Sequence, residues 1–168
     1  ITAPAMGQNM VFVAAVDQHT VYALDVDRGK RVWSFTTGGR IDSPPTYWQG
    51  RVYCGSADGC VYCLDAQDGQ LAWRFRAAPR QRLIPAHGQL ESAWPIPGSV
   101  LIKDGKLYCL AGRSSYVDGG MYFAKLDAVT GTPLVVKNKF HRDPETGKQP
   151  PERGWEFGNN ALELPGLL

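Results

Sequence analysis

Short apolar runs separated by turn dipeptides cover about the first 140 residues of the chain. No window shows a sustained helical period of apolar residues, so the pattern predicts strands and almost no helix. The clearest stretch holds four strand candidates, at Ile41–Trp48, Arg51–Ser56, Cys60–Asp65 and Leu71–Ala77. The turns between them are Gln49-Gly50, Asp58-Gly59 and Asp68-Gly69, dipeptides that tolerate the positive φ of a tight hairpin.

This four-strand pattern is an internal repeat with a period near forty residues. Val11–Val13 aligns with Val52–Cys54 at an offset of 41, and Tyr22–Asp25 aligns with Tyr62–Asp65 at an offset of 40. A third, stretched copy includes Leu107–Cys109. Because four antiparallel strands per repeat of this length are typical of a β-propeller blade, each copy is predicted to form one blade.

The repeats predict an all-β fold, a β-propeller segment of about three four-stranded antiparallel blades plus the start of a fourth. Because three blades do not close a ring, we expect the chain to be part of a larger ring whose remaining blades cover its open faces. Association of several such segments is the alternative way to close the ring. The expected bounds are 1–38, 39–78 and 94–140 for the blades, 79–93 for an insertion, and 141–168 for a loop and the next blade.

A short motif inside the repeat carries a family resemblance. It reads Leu-Asp, two or three residues, Gly, three residues and Trp, and it runs from Leu24-Asp25 to Trp33 and from Leu64-Asp65 to Trp73. It resembles the tryptophan-docking repeat of the PQQ-like, or quinoprotein-type, propellers, over about residues 1 to 140. That family builds quinone-dependent dehydrogenases, an outer-membrane assembly lipoprotein and many secreted proteins, so the resemblance implies a fold and not an activity. It also implies a periplasmic or secreted location.

The resemblance gives the repeated residues of the motif a structural role. It implies that Trp33 and Trp73 lie on outer strands and pack over the Leu-Asp and Gly turn of a neighbouring blade. A third tryptophan would be expected at position 135, where the chain has Val135. The residues implied to form the docking motif are Trp33, Trp73, Asp25, Asp65, Gly29 and Gly69.

The four cysteines allow two interpretations. If Asp58-Gly59 forms a two-residue hairpin loop, Cys54 and Cys63 lie directly opposite each other, and a cross-strand disulfide is conceivable. The favoured interpretation is that the cysteines are small buried apolar residues. By the same register Cys109 lies opposite Ala124 and has no partner. Cys60 and Cys63 have no second pair at metal spacing, so zinc and redox motifs are rejected.

Two insertions in the third repeat are the best guide to function. About 15 extra residues fall within 79–93 and about seven more around 113–120. Strands alternate in direction, so both connections are predicted to emerge on the same face of the propeller, which suggests that this face carries a binding surface. The candidate ligand-binding residues are Arg82, His87, Gln89, Glu91, Trp94, Arg113, Tyr116 and Asp118.

The same side chains have a purely structural alternative. Arg82, Glu91, Arg113 and Asp118 are equally suited to tie the two insertions together by charge-assisted hydrogen bonds. His87 has only Glu91 nearby as a titratable partner, so no catalytic role is assigned to it. His19 is expected to face water in a turn of the first blade. The turns beginning at His141 could hold calcium, but they lack the regular spacing of oxygen ligands, and no metal site is predicted.

Composition excludes several classes of function. The net charge is +2 and no basic run alternates with aromatic residues, so nucleic-acid binding is not expected. No apolar stretch approaches the length of a transmembrane helix.

Two functional hypotheses remain. The favoured one is a non-enzymatic binding or scaffold module that presents the elaborated face to a protein, a glycan or a small polar ligand, with no cofactor. The alternative is a fragment of a quinoprotein alcohol or sugar dehydrogenase. The resemblance implies that such an enzyme holds pyrroloquinoline quinone and calcium in the central channel, with a catalytic aspartate and commonly a pair of adjacent cysteines. The chain has no adjacent cysteines. Asp42 is the only acidic residue in its predicted innermost strands, which are Thr2–Gly7, Ile41–Trp48 and Ile96–Lys103.

Overall fold

The computed structural model describes residues 1–141 and residue 148. Three four-stranded antiparallel sheets follow one another along the chain, and each has its strands in sequence order. The first sheet contains β1 (Ala5–Gly7), β2 (Met10–Ala15), β3 (Thr20–Asp25) and β4 (Arg31–Thr36). The second contains β5 (Thr46–Trp48), β6 (Arg51–Gly55), β7 (Cys60–Asp65) and β8 (Leu71–Arg76). The third contains β11 (Leu101–Lys103), β12 (Lys106–Ala111), β13 (Met121–Asp127) and β14 (Pro133–Lys139).

The insertion between the second and third blades forms a separate hairpin. Its strands are β9 (Leu83–Ala86) and β10 (Gln89–Ser92), which pair only with each other. A single 3₁₀ turn, Val16–Gln18, is the one helical element among the described residues. The predicted all-β fold with four antiparallel strands per blade is therefore confirmed. The expected start of a fourth blade and most of the loop after His141 lie outside the described residues.

Two-residue turns close four of the hairpins. In each turn both central residues have positive φ, as a type I′ turn requires. In the insertion these are His87 at 50° and Gly88 at 76°. The corresponding pairs in the blades are Gln8-Asn9, Gln49-Gly50 and Asp104-Gly105. The turn chemistry of the sequence therefore sets the register of these strands.

The innermost strands are shorter than predicted. They were expected at Thr2–Gly7, Ile41–Trp48 and Ile96–Lys103, but the ladders begin only at Ala5, Thr46 and Leu101. Pro4, Pro44 with Pro45, and Pro95 with Pro97 precede them. Proline has no amide hydrogen to donate to a ladder, so pairing begins after these residues.

The predicted alignment of Cys54 with Cys63 is wrong by one residue. Cys54 lies opposite Tyr62 and Cys63 opposite Tyr53. The reason is a three-residue loop, because the Ser56 amide donates to the Cys60 carbonyl at 3.0 Å and Gly59 takes the positive φ of 83°. All four cysteines are free and buried, and Cys109 does lie opposite Ala124.

The core lies between neighbouring blades. One cluster joins the first and second sheets through Phe12, Val21, Val52 and Leu64. The other joins the second and third sheets through Tyr53, Val61, Leu107 and Leu126. The second sheet therefore buries one face against the first sheet and the other against the third, which is how stacked repeats share one continuous core.

Candidate functional site

The two tryptophans of the repeat each reach across to the next blade. The Trp33 indole donates to the Ala66 carbonyl at 2.9 Å, and the Trp73 indole donates to the Ala128 carbonyl at 3.2 Å. Tyr53 donates to the same Ala128 carbonyl at 3.0 Å. Both acceptors directly follow a Leu-Asp pair, so each indole lies over the turn that the motif implied. In the third blade the matching position holds Val135, opposite Lys125.

Glycine allows these indoles to lie flat on the turns. A Cβ added to Gly69 would lie 2.6 Å from Cδ2 of Trp33, and a Cβ added to Gly131 would lie 2.6 Å from Cδ2 of Trp73. Gly29 occupies the matching turn of the first blade, where a Cβ would meet nothing within 4 Å. The docking role of Gly69 is thus visible in the structure, whereas the turn with Asp25 and Gly29 carries no indole from the described residues.

The inserted hairpin bridges all three blades on one face. Gln89 Oε1 lies 2.6 Å from His19 Nε2 in the first blade, and the Ser92 amide donates to Ala57 of the second blade at 2.8 Å. Arg82 contacts Asp118 of the third blade at 2.9 Å. The expectation that His19 faces water is therefore wrong, because the insertion reaches over to it. Both insertions lie on the same face, as the alternation of strand direction predicted.

Glu91 is the centre of the contacts beneath the hairpin. Its carboxylate is 2% exposed and accepts a hydrogen bond of 2.7 Å from Arg113. Arg40 Nε and His87 Nδ1 lie 3.3 Å and 3.4 Å from its other oxygen, at ion-pair distance without aligned hydrogen bonds. Arg113 also donates to the carbonyl of Ser92 at 2.8 Å. Buried and shared between two guanidinium groups, this carboxylate ties the insertions to the blades and does not face an external ligand.

Trp94 is part of the core and not of the surface on which it was placed. It is 1% exposed and makes an edge-to-face contact with Tyr122 at a centroid distance of 6.2 Å. The guanidinium of Arg80 lies 5.6 Å from the centroid of the Trp94 ring. The side chain fails as a ligand contact because the blade interface covers its ring.

Tyr116 lies at the outer margin of the same face. Its ring stacks on His141 with a centroid distance of 4.5 Å and an interplanar angle of 13°. His141 is held by Ser115, whose hydroxyl oxygen lies 2.6 Å from His141 Nδ1. Tyr116 and its neighbour Val117 remain about half exposed, so the second insertion contributes an apolar surface.

The outward flank of the hairpin is apolar, a feature that the sequence analysis missed. Ile84, Ala86, Gln89 and Glu91 share the inward side, and Ile84 packs against the core. The outward side presents Leu83, 51% exposed, and Leu90, 63% exposed, with the exposed Pro85 directly opposite Leu90. The alternation of polar and apolar residues in Gln89-Leu90-Glu91, directly after the His87-Gly88 turn, was the available signal, because it marks a strand with one apolar side.

Burial keeps the cysteine thiols protonated. It raises the pKa of Cys54 and of Cys109 to about 12 and that of Cys60 to about 11. A thiol needs its thiolate form to act as a nucleophile or a metal ligand. These cysteines therefore behave as core residues.

The described residues do not provide the donor set of a quinone and calcium site. Within residues 1–141 and 148 there is no group of three or more His, Cys, Asp or Glu side chains that could hold a metal ion. Asp42 is held by Arg40, with Arg40 Nη2 2.8 Å from Asp42 Oδ1. Among the described residues no helix is long and apolar enough to cross a membrane.

Known proteins share this repeat architecture. The quinone-dependent alcohol dehydrogenase subunit of Gluconobacter oxydans (strain 621H) is 27% identical over 134 residues, which are 73% of this chain and 17% of that protein. The outer membrane protein assembly factor BamB of Burkholderia pseudomallei (strain K96243) is 31% identical over 129 residues, which are 69% of this chain and 32% of that protein. The chain thus spans less than a third of either relative.

Solved structures show the same fold. The quinohemoprotein alcohol dehydrogenase from Comamonas testosteroni superposes with a TM-score of 0.69 at 24% identity, covering 86% of this chain and 22% of that one. The family model described as outer membrane protein assembly factor BamB matches residues 1–139. With its three stacked blades and docked tryptophans, the chain belongs to this family of PQQ-like β-propeller repeats.

Proposed function

We propose that the chain is part of a non-enzymatic recognition module and that its elaborated face contacts another protein. The observation that carries this proposal is the difference in surroundings between the charged and the apolar side chains of the insertions. Their charged side chains are turned to each other, as in Arg82 with Asp118 and Arg113 with Glu91. Leu83, Leu90, Tyr116 and Val117 are among their exposed side chains, and large exposed apolar surfaces on a folded domain mark interaction sites.

A small polar ligand is a poorer fit for this face. Recognition of such a ligand requires polar groups that converge on it and are free to form hydrogen bonds. Gln89 is engaged by His19, and Glu91 is buried between two arginines. A protein surface, by contrast, is recognised mainly by apolar anchors surrounded by charged groups. The relative named as an outer membrane protein assembly factor makes a binding role in the periplasm a reasonable proposal for this chain as well.

The alternative is a fragment of a quinone-dependent alcohol dehydrogenase, which is favoured by the likeness to the Gluconobacter and Comamonas enzymes. In that case the donors for the cofactor and calcium would have to come from parts of the protein other than the described residues. The enzymatic and binding hypotheses differ in a property that can be measured directly.

The test is a titration of the full-length protein with pyrroloquinoline quinone and calcium chloride, followed by tryptophan fluorescence. Dye reduction with ethanol or glucose as electron donor is then measured. We expect no saturable quenching at micromolar quinone and no dye reduction. Saturable binding accompanied by turnover would overturn the recognition function and establish the dehydrogenase.

A further inference from the structure

The outward flank of the β9–β10 hairpin is suited to one particular kind of partner. We propose that it docks an acidic amphipathic helix of another protein, with Leu83, Pro85 and Leu90 as the apolar contact and Arg80 as the positive charge at its margin. This inference rests on the proposed recognition function and adds the chemistry of the partner.

The spacing of the apolar side chains suits a helix. Leu83 and Pro85 lie on one side of β9, about 7 Å apart along the strand. Leu90 lies directly opposite Pro85 on β10. Residues one turn apart on a helix are separated by about 6 Å, so two successive leucines of a helix can contact both positions.

The proline argues against strand addition as the docking mode. A peptide that extends a sheet needs backbone donors along the free edge. In a hairpin closed by the two-residue turn His87-Gly88, the Pro85 position points its backbone away from β10, and proline has no amide hydrogen to offer there. A partner is therefore expected to contact the side chains of the flank and not its backbone.

The exposed charge of the insertion is positive. Arg80 is exposed and Arg82 is ion-paired with Asp118, whereas Glu91, the one carboxylate of residues 79–93, is buried. The exposed Arg76 at the end of β8 lies three residues before the insertion begins. A partner with carboxylates around its apolar side complements this margin. A second copy of the chain would instead bring arginine against arginine across a two-fold axis.

The shape of the hairpin disfavours a lipid surface. Insertion into a membrane needs apolar side chains at the most protruding point. The turn at that point is His87-Gly88, and His87 Nδ1 is held 3.4 Å from Glu91 Oε1. Leu83 and Leu90 lie on the flank, where a protein surface can reach them.

The test uses the full-length protein and a fluorescein-labelled 16-residue helical peptide with leucines at i, i+3, i+4 and i+7 and glutamates elsewhere. We expect saturable binding by fluorescence anisotropy, weakened at 0.5 M sodium chloride. The Leu83→Ser, Leu90→Ser double variant should bind at least tenfold more weakly, and Arg80→Glu should also weaken binding. The matched control is Leu71→Ser, Leu134→Ser, which removes two leucines of similar exposure elsewhere and should leave binding unchanged.

Several outcomes would overturn the proposal. These are absence of binding, equal binding of a peptide with lysines in place of glutamates, and equal loss of binding in the control variant. Light scattering that shows a dimer dissociated by the Leu83 and Leu90 changes would assign the flank to a second copy. Sedimentation of the protein with phosphatidylglycerol vesicles would assign the flank to a membrane. Displacement of the labelled peptide by a synthetic peptide of residues 152–168 would assign the flank to a segment of the chain itself. None of these outcomes produces dye reduction with quinone, so they are distinguishable from failure of the recognition function.

Discussion

Single residues of the docking turns decide how closely the blades approach one another. Gly69 and Gly29 occupy equivalent turns and have similar φ values of 75° and 63°. Only at Gly69 does an indole lie where a Cβ would be built. The repeat register is enough to locate both turns from the sequence. Which turn is covered depends on the neighbouring blade.

This pair of glycines gives a matched test of docking. Gly69→Ala and Gly29→Ala both place a side chain at positive φ, at a cost of about 1 kcal/mol. Gly69→Ala additionally displaces the Trp33 ring, so we expect its loss of unfolding free energy to exceed that of Gly29→Ala by at least about 1 kcal/mol. Urea denaturation of the two variants measures the difference. Equal losses would contradict the placement of Trp33.

Asp127 in the third docking turn makes stability depend on acid pH. Hydrogen bonds from the Thr130 amide and from Lys106 lower the pKa of its carboxyl to about 2. The ordinary value in an unfolded chain is about 3.9. Because the folded pKa is the lower one, the carboxylate stabilises the fold above pH 4, and this contribution is lost as the pH falls towards 2.

We therefore expect the urea midpoint of the wild-type protein to fall more steeply than that of Asp127→Asn between pH 4 and pH 2. If the urea midpoints of the two proteins fall in parallel with pH, the Asp127 carboxylate does not stabilise the fold above pH 4. Nuclear magnetic resonance titration of the Asp127 carboxyl would report the pKa independently.

At the scale of elements, the inserted hairpin packs across one face of the three blades and connects them. Its inward side reaches His19 in the first blade through Gln89 and Asp118 in the third blade through Arg82. From the sequence, Arg82 and Arg113 were both candidates for ligand binding and for tying the insertions together. The structure separates them, because Arg82 meets a partly exposed partner and Arg113 meets the buried Glu91.

The two arginines should therefore differ in their effect on stability. Arg113→Ala removes the 2.7 Å partner of a buried carboxylate, and we expect a loss of about 2 to 3 kcal/mol. Arg82→Ala breaks a solvent-exposed ion pair and should cost less than about 1 kcal/mol. Thermal and urea unfolding of both variants measure this, with Arg113→Lys as the charge-preserving control. A loss for Arg82→Ala as large as that for Arg113→Ala would contradict the assignment.

At the scale of the whole molecule, the repeated blades could be predicted from the sequence, whereas the contacts of the insertion could not. Blade order and turn positions follow from a pattern that occurs three times, so each copy checks the others. The insertion occurs once, and its role depends on contacts between residues far apart in the chain, such as His19 with Gln89. The same limit explains Trp94, whose burial is decided by Tyr122 on another strand.

The two sides of the hairpin have consequences for how such a protein can change over time. Side chains at alternate positions fasten the insertion to the blades, and those between them face outward. Substitutions at Leu83, Pro85 or Leu90 leave the fastening residues untouched. New partners can therefore be acquired on the outward side through a few substitutions that leave the stability of the fold unchanged, while the inward side holds the three blades together.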